Sequence, residues 1–192
     1  MPRTCGRSCV AALLAILLYA AAAACQSNPS PAPMPSVAPS PSRSVASSTP
    51  SPMAPTMPAE ARGTSAESAK AFVRYYFDQI NYAMRTGDTE SLDGLSTQNC
   101  VSCRAIARNV RQTYETGARI ESEGWRLTVI SLVPEQPREH PILDLGVVQA
   151  PEVIVLPSGD PGKKYSGGKQ PMTAHLVWRH NHWIVERLDL VT

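Results

Sequence analysis

The sequence lacks an excess of charge of either sign, and it lacks the short motifs that mark common catalytic and nucleotide-binding sites. It has 18 Lys and Arg against 16 Asp and Glu. Two of the arginines, Arg3 and Arg7, lie in a segment that we expect to be removed, so the remaining chain is formally neutral. Nothing indicates the clustered basic surface that nucleic-acid binding requires. A GxSxG elbow, a P-loop, a GxGxxG loop and a Ser-His-Asp order are absent, so no nucleophile is marked.

Long hydrophobic runs are scarce, and the one that stands out is at the N-terminus. Arg3 and Arg7 precede an apolar run from Val10 to Tyr19, and alanines then lead to Cys25. This layout is typical of a secretory signal peptide over residues 1–24. The run is about the minimum for a membrane span and has no basic stop-transfer flank. We therefore expect export rather than a transmembrane anchor.

The end of this segment resembles a bacterial lipobox, in which three alanines precede Cys25. In lipoprotein signals of that kind the cysteine is acylated and becomes the first residue of the mature protein. The resemblance implies that lipid on Cys25 holds the protein at the extracytoplasmic face of the cell membrane. Cys5 and Cys9 leave with the signal peptide.

Residues 25–63 are poor in what a folded core needs. From residue 26 onward this segment has ten prolines and nine serines but no aromatic residue. Such a composition cannot bury enough apolar surface to offset conformational entropy. We predict a disordered linker that connects Cys25 to a single folded domain at 64–192, which is long enough for one hydrophobic core.

The first part of this domain has helical periodicity. Thr64 and Glu67 form a capping-box pattern, and apolar residues follow at steps of three and four. This predicts a helix of about 20 residues that ends at Gly87. A short second helix and a third helix are expected next, the third being capped by Ser102.

Beyond Gly117 the apolar period becomes alternating, which predicts strands. The expected strands are 125–133, 143–156 with a bend at Pro151, 172–179 and 182–190, with a short displaced strand at 118–121 and a surface loop at 157–170. The last two strands flank His180-Asn181, a pair suited to a tight hairpin. The fold class is therefore α+β, with N-terminal helices packed on a curved antiparallel sheet.

This order resembles the nuclear transport factor 2-like, or SnoaL-like, cone fold, in which the long first helix lies in the concave face of a curved sheet. More narrowly, the stretch from Phe72 to Asp88, followed by Leu95-Ser96 and a Cys-Val-Ser-Cys motif, is similar to an uncharacterised family of actinobacterial lipoproteins. The resemblance covers about 64–192. It implies no activity, and no cofactor is expected.

The Cys-Val-Ser-Cys motif, Cys100 to Cys103, has three interpretations. In an oxidising compartment two nearby cysteines form a disulfide by default, and this is the interpretation that we adopt. A redox motif is expected after the strand of a βαβ unit, which is missing here. Zinc would need His180 and His182 as well, and His-x-His at a hairpin turn is an unusual ligand pair. No metal site is therefore predicted.

Candidate catalytic residues are few. An enzyme of the cone-fold type needs an acid/base pair inside its pocket, and the weak candidates are His175 with Asp189 or Asp144. In the strand 172–179 the even-numbered residues are expected in the core, so His175 lies on the less buried face. There an ordinary polar role is the simpler interpretation.

A ligand pocket is a second possibility, with Tyr76, Tyr114 and Trp178 as weak candidates for its lining, although the same residues could form the core. These observations predict a lipid-anchored cell-surface protein with a non-catalytic domain that binds an envelope protein or a small apolar ligand. The alternative is a small pocket enzyme, an isomerase, dehydratase or hydrolase.

The anchor can be tested by replacing its acceptor. Cys25→Ser should move the protein from the membrane fraction to the soluble fraction and leave the domain folded, because the acylation site precedes the domain. Cell fractionation with circular dichroism of the released protein measures both effects. Cys5→Ser, inside the signal peptide, is the matched control and should stay in the membrane fraction. An unchanged distribution of Cys25→Ser would refute the anchor.

Overall fold

A short 3₁₀-helix, Ala59–Ala61, and three α-helices precede seven strands in the part of the chain that the computed structural model describes, residues 52–191. The helices are α1 Ala66–Thr86, α2 Glu90–Gly94 and α3 Val101–Glu115; the strands are β1 Arg119–Ser122, β2 Trp125–Leu132, β3 Ile142–Gln149, β4 Glu152–Val155, β5 Pro161–Tyr165, β6 Gly168–Arg179 and β7 His182–Leu190. The predicted α+β class, with helices packed on curved antiparallel sheets, is confirmed.

Helix α1 begins one residue later than the sequence predicted. The Ser65 hydroxyl accepts a hydrogen bond from the Ser68 backbone N–H at 3.1 Å, so Ser65 is the N-cap instead of Thr64. Glu67 forms an ion pair with Lys70, further along the helix, instead of accepting a hydrogen bond from the Thr64 backbone N–H. The predicted end is confirmed, since Gly87 has a φ of 80°, a left-handed conformation that favours glycine.

Helix α3 begins at a cysteine instead of the predicted serine. Sγ of Cys100 accepts a hydrogen bond from the Cys103 backbone N–H at 3.3 Å. The Ser102 hydroxyl donates to the backbone oxygen of Leu188 in β7, which attaches the start of α3 to the sheet. Cys100 thus makes the cap, and Ser102, which was predicted to be the cap, makes a tertiary contact instead.

The seven strands form two sheets with a break between them. One sheet has the order β2-β3-β6-β7 and the other β1-β4-β5, and all pairs of neighbouring strands are antiparallel. The chain passes from one sheet to the other at three places: 123–124, 150–151 and 166–167. We call these three places together the crease. The bend predicted at Pro151 is one of them, although β3 and β4 lie in different sheets.

The crease is held to α1 by one side chain. Nδ2 of Asn81 donates to the backbone oxygen of Trp125 at 2.8 Å, and Oδ1 accepts from the Trp125 backbone N–H at 2.7 Å. Gly124, with a φ of 87°, approaches so closely that a Cβ there would lie 2.4 Å from Asn81 Oδ1. The Gly124 backbone oxygen also accepts from the Ala150 N–H, so one helix residue positions two crossing points.

The hydrophobic core lies between α1 and the four-stranded sheet. The largest fully buried side chains from the two layers include Phe72, Tyr76 and Ile80 on α1 and Leu143, Leu176, Val185 and Trp183 on the sheet. The outer edge of β7 is covered by the segment before α3, where Val185 exchanges backbone hydrogen bonds with Leu95 and Thr97. This burial is the main favourable contribution to folding.

Two bulges change which residues face the core. Thr128 is an extra residue in β2 opposite β3, and Glu186 is an extra residue in β7 opposite β6. Each bulge reverses the alternation of its strand beyond that point. β6 has no extra residue: Trp178 lies opposite Trp183 and packs half-buried against the core, on the face that its parity predicted. Val177 is 1% exposed although its parity predicted the open face.

The predicted surface loop at 157–170 is wrong. Residues 161–165 form β5, and 168–170 begin β6. Glycines, lysines and prolines disfavour strands on propensity grounds, but the backbone pairing with β4 and β3 outweighs that preference here.

The end of the predicted linker is also packed. The Pro55 backbone oxygen accepts a hydrogen bond from Gln79 Nε2 on α1 at 2.8 Å, Met57 packs against the core, and Ala61 is 1% exposed. The predicted boundary at residue 64 therefore falls within packed structure. The boundary was predicted from the average composition of the segment, and an average does not reveal contacts made by three individual residues.

The link between Asn81 and the crease can be tested by Asn81→Ala. Loss of both hydrogen bonds leaves two backbone groups of Trp125 without these partners, so we expect a loss of about 2 kcal/mol in the free energy of unfolding. Asn109→Ala on α3 is the matched control, because Asn109 is exposed and gains the same helix propensity. Urea unfolding followed by circular dichroism compares them. Equal stabilities of the two variants would contradict the structural role.

Candidate ligand-binding cleft

A cleft of about 1020 Å³ opens between α3 and the three-stranded sheet. Its size suits a small organic ligand. One end of the cleft lies at the crease, where Trp125, Gln149, Ala150 and Gly167 contribute to the lining. The bend between the sheets thus forms part of the cleft.

The sheet wall follows from the strand register. Ile120 lies opposite Ile154, and Glu152 lies opposite Tyr165. Because successive side chains point to opposite faces, these four residues share one face with Lys163, and all five line the cleft. The wall is apolar at its centre, with one carboxylate and one phenol beside each other.

The helix wall is built by residues three and four positions apart on α3: Ile106, Asn109, Val110, Thr113 and, just beyond the helix, Thr116. Val110 is buried and Ile106 and Thr113 are half-buried, whereas Asn109 is exposed. The apolar stripe of α3 therefore serves the core and the cleft at once. Hydroxyl and amide groups lie beside it and can accept or donate hydrogen bonds.

Glu152 is the carboxylate of this cleft. It is half-buried, and within the described part of the chain it forms no ion pair and no side-chain hydrogen bond. Burial raises the pKa of its carboxyl above the ordinary value. A partly desolvated acid without a partner is costly to keep, which makes it a candidate for binding.

The lysines beside Glu152 are exposed. The Lys163 amino group lies 4.6 Å from the centre of the Tyr165 ring, within the range of a cation–π contact. Lys164 lies opposite Val153, on the other parity of β5. The positive charges are thus solvated, whereas the negative charge is partly buried.

The predicted acid/base pair lies on the outer face of the four-stranded sheet. His175 Nε2 is 3.4 Å from Asp189 Oδ2, so the two predicted residues are neighbours. Arg187, however, contacts both residues: its Nε is 2.6 Å from Asp189 Oδ2, and its guanidinium is 2.9 Å from His175 Nε2. Because a guanidinium only donates, His175 Nε2 accepts this bond and carries no proton.

Asp144 lies in the same row of the sheet. It is paired with Thr173, whose hydroxyl donates to Asp144 Oδ1 at 3.2 Å, and Thr173 in turn lies opposite Asp189. His175, Asp189 and Asp144 line none of the four cavities described among residues 52–191. The structure brings the three together, but on an open surface.

The predicted pocket residues lie elsewhere. Tyr76 is 1% exposed within the core, and burial raises the pKa of its phenol. Tyr114 donates to the Met84 backbone oxygen at 2.7 Å, and Trp178 packs edge-on against Trp183 with ring centres 5.1 Å apart. None of the three predicted residues lines the cleft.

Cys100 and Cys103 lie at disulfide distance, with 1.96 Å between their sulfurs. Bonded sulfurs are not free to act as the thiolate ligands of zinc. Among residues 52–191, no group of three or more His, Cys, Asp or Glu side chains is arranged to hold a metal ion.

The signal peptide and Cys25 lie outside the described residues, so lipidation stays a prediction. Within residues 52–191 no helix combines the length and apolarity needed to cross a membrane.

Sequence reasoning missed the cleft because two of its three strands were not clear in the sequence. β1 was read as a displaced fragment, and β5 as a loop. The signal that was present is the alternation of Glu152, Ile154 and Leu156, all three of which line the cleft.

The fold and the cleft define a class: an α+β domain with helices on curved antiparallel sheets. Solved structures with related architecture include the intermembrane space region of the chloroplast protein ARC6, 8% identical with a TM-score of 0.48 over 67% of this chain and 97% of that chain. An uncharacterised protein with a cystatin-like fold from Caulobacter vibrioides is 13% identical, with a TM-score of 0.42 over 68% and 92%. A protein whose name includes NTF2 is 15% identical, with a TM-score of 0.38 over 64% and 99%.

These likenesses are too distant to support an inference about function. The chain belongs to the Family of unknown function (DUF6318), whose model matches residues 42–189. No curated protein matches the chain.

The polar cluster on the outer face predicts opposite effects of its two charged members. Burial, followed by the Arg187 charge, lowers the pKa of His175, whereas Asp189 raises it. Arg187→Gln should therefore raise the pKa of His175, and Asp189→Asn should lower it further. NMR titration of the His175 ring measures both changes, and Asp144→Asn is the control that should leave the value unchanged.

The same shift has a consequence for stability. Because the pKa of His175 is lowered in the folded state, the unfolded chain binds a proton at His175 at higher pH than the folded state does. The contribution of His175 to stability therefore decreases as pH falls from about 6.5 to the folded-state pKa. If the NMR titration curves of His175 are the same in Arg187→Gln, Asp189→Asn and Asp144→Asn, the cluster does not form in solution.

Proposed function

We propose that this protein is a lipid-anchored, non-catalytic binding protein of the cell surface, and that its ligand binds in the cleft between α3 and the three-stranded sheet. The observation that carries the proposal is the cleft itself, about 1020 Å³ in volume and lined by apolar side chains with a few polar groups. This combination is typical of small-molecule sites.

The composition of the lining favours binding over catalysis. It holds one carboxylate, Glu152, and no histidine. Tyr165 lies opposite Glu152, but no hydrogen bond joins their side chains among the described residues, so the cleft holds no assembled acid/base pair. His175 and Asp189 are 3.4 Å apart but lie on the open outer face, where Arg187 already binds Asp189.

A small molecule fits the cleft better than an envelope protein. The cleft is bounded by a helix on one side and a sheet on the other, so an occupant has two facing walls to contact. Apolar centres on both walls, Val110 and Ile154, indicate that the ligand has an apolar body.

The N-terminal sequence supports the location. A basic start, an apolar run and three alanines before Cys25 are the features of an acylated export signal. The Pro/Ser-rich segment between Cys25 and the described residues gives the domain reach from the bilayer.

Blocking the cleft tests the proposal. The protein used is residues 25–192 with Cys25→Ser, which we call the anchor-free chain and which retains all described residues. Nile red, a neutral apolar dye, should gain fluorescence on binding to it. Ile154→Trp fills the sheet wall and should weaken dye binding about tenfold.

Val101→Trp is the matched control, because Val101 is 70% exposed and does not line the cleft. Its dye affinity should equal that of the parent chain. If the parent chain does not bind the dye, or if Ile154→Trp binds it as well as the parent does, the cleft is not the binding site and the proposal fails.

A further inference from the structure

The partly buried charge of the cleft is the Glu152 carboxylate, and neither it nor the two exposed lysines of the lining forms an ion pair within residues 52–191. Glu152 is half-buried on the sheet wall and has no ion-pair partner in the described chain, whereas Lys163 and Lys164 are exposed at the cleft. Coulomb interactions are strongest where water is excluded, and exposed charges are screened. A ligand therefore experiences the Glu152 carboxylate more strongly than the lysines.

One aromatic residue lies opposite this carboxylate, and a second lines the same cleft. Tyr165 is directly opposite Glu152 in the β4–β5 register, so their Cβ atoms are about 5 Å apart. Trp125 contributes to the same lining from the crease. A carboxylate together with aromatic faces is the chemistry that recognises alkylammonium groups, through an ion pair and cation–π attraction.

The chain itself supplies an example of this contact. The Lys163 amino group lies 4.6 Å from the centre of the Tyr165 ring, so this ring accepts an ammonium group in the cleft. Lys163 is exposed and on a flexible side chain. An external ammonium ion can take its place while Lys163 returns to water.

The remaining lining suits the rest of such a ligand. Ile120 and Ile154 on the sheet and Ile106 and Val110 on α3 form an apolar surface next to Glu152. An ammonium group at Glu152 would leave an attached hydrocarbon chain in contact with this surface, where burial is favourable.

We propose that the cleft binds an amphipathic organic cation, with its ammonium group on Glu152, Tyr165 and Trp125 and its apolar body between α3 and the three-stranded sheet. This inference rests on the proposed function, because it assigns a ligand class to the same cleft. It narrows the small apolar ligand of the sequence prediction to one that carries positive charge.

Three probes with the same eight-carbon chain test it: octyltrimethylammonium, octanoate and 1-octanol. NMR titration of the anchor-free chain at pH 7.5 follows the Trp125 indole and the amides of Val110 and Ile154. The cation should bind about tenfold more tightly than the alcohol, and the carboxylate should bind more weakly than the alcohol.

Two variants with opposite charge changes sharpen the test. Glu152→Gln keeps the shape of the side chain and should weaken octyltrimethylammonium binding about five- to tenfold, with little change in 1-octanol binding. Lys163→Met removes a competitor for the Tyr165 ring and should leave cation binding unchanged or stronger. Unfolding midpoints of both variants verify that they are folded.

The outcomes separate the two proposals. If 1-octanol or octanoate binds in the cleft as tightly as the cation, or if Lys163→Met weakens binding more than Glu152→Gln does, the cation proposal is overturned and cleft binding stands. If none of the three probes shifts the cleft signals, both proposals are overturned.

Discussion

The domain depends on how α1 holds the sheets at their crease. The Asn81 side chain makes two hydrogen bonds with the Trp125 backbone, and Gly124 packs against it at a distance that a Cβ would not permit. The chain crosses there, at 150–151 and at 166–167 from one sheet to the other. Because α1 covers the four-stranded sheet, the core forms on that side, and the face of the three-stranded sheet is left to form the cleft with α3.

Carboxylates on the outer face of the four-stranded sheet have bonding partners, whereas the carboxylate of the cleft has none within residues 52–191. On the outer face of the four-stranded sheet Asp189 is bound by Arg187 and Asp144 by Thr173, and at the helices Asp93 is bound by Arg111. In the cleft Glu152 has no such partner within residues 52–191, and its burial disfavours the charged form. A charge that is paired within the domain needs no ligand to explain its position. An unpaired, half-buried carboxylate is a cost to stability that suits a site for an external partner.

Local signals in the sequence predicted much of the fold. The apolar stripe from Phe72 to Met84, the hairpin at His180-Asn181 and the bend at Pro151 all appear where the pattern placed them. The two bulges could not be predicted, because an extra residue such as Thr128 or Glu186 is defined only by the strand opposite it. The burial of Val177 on the other face of β6 was also missed. β5 was predicted to be a loop because its composition disfavours a strand, and its pairing with β4 outweighs that composition.

The sequence by itself determined the order of the three α-helices, the α+β class and the closeness of Cys100 and Cys103, since each follows from periodicity or from residues a few positions apart. It also carries the predicted export signal and acylation site, which are read locally. Only the tertiary structure decided that Glu152, Tyr165 and Trp125 line one cleft and that His175 and Asp189 do not. These groupings depend on register between strands and on the crease, where small shifts move a side chain to the opposite face of a sheet.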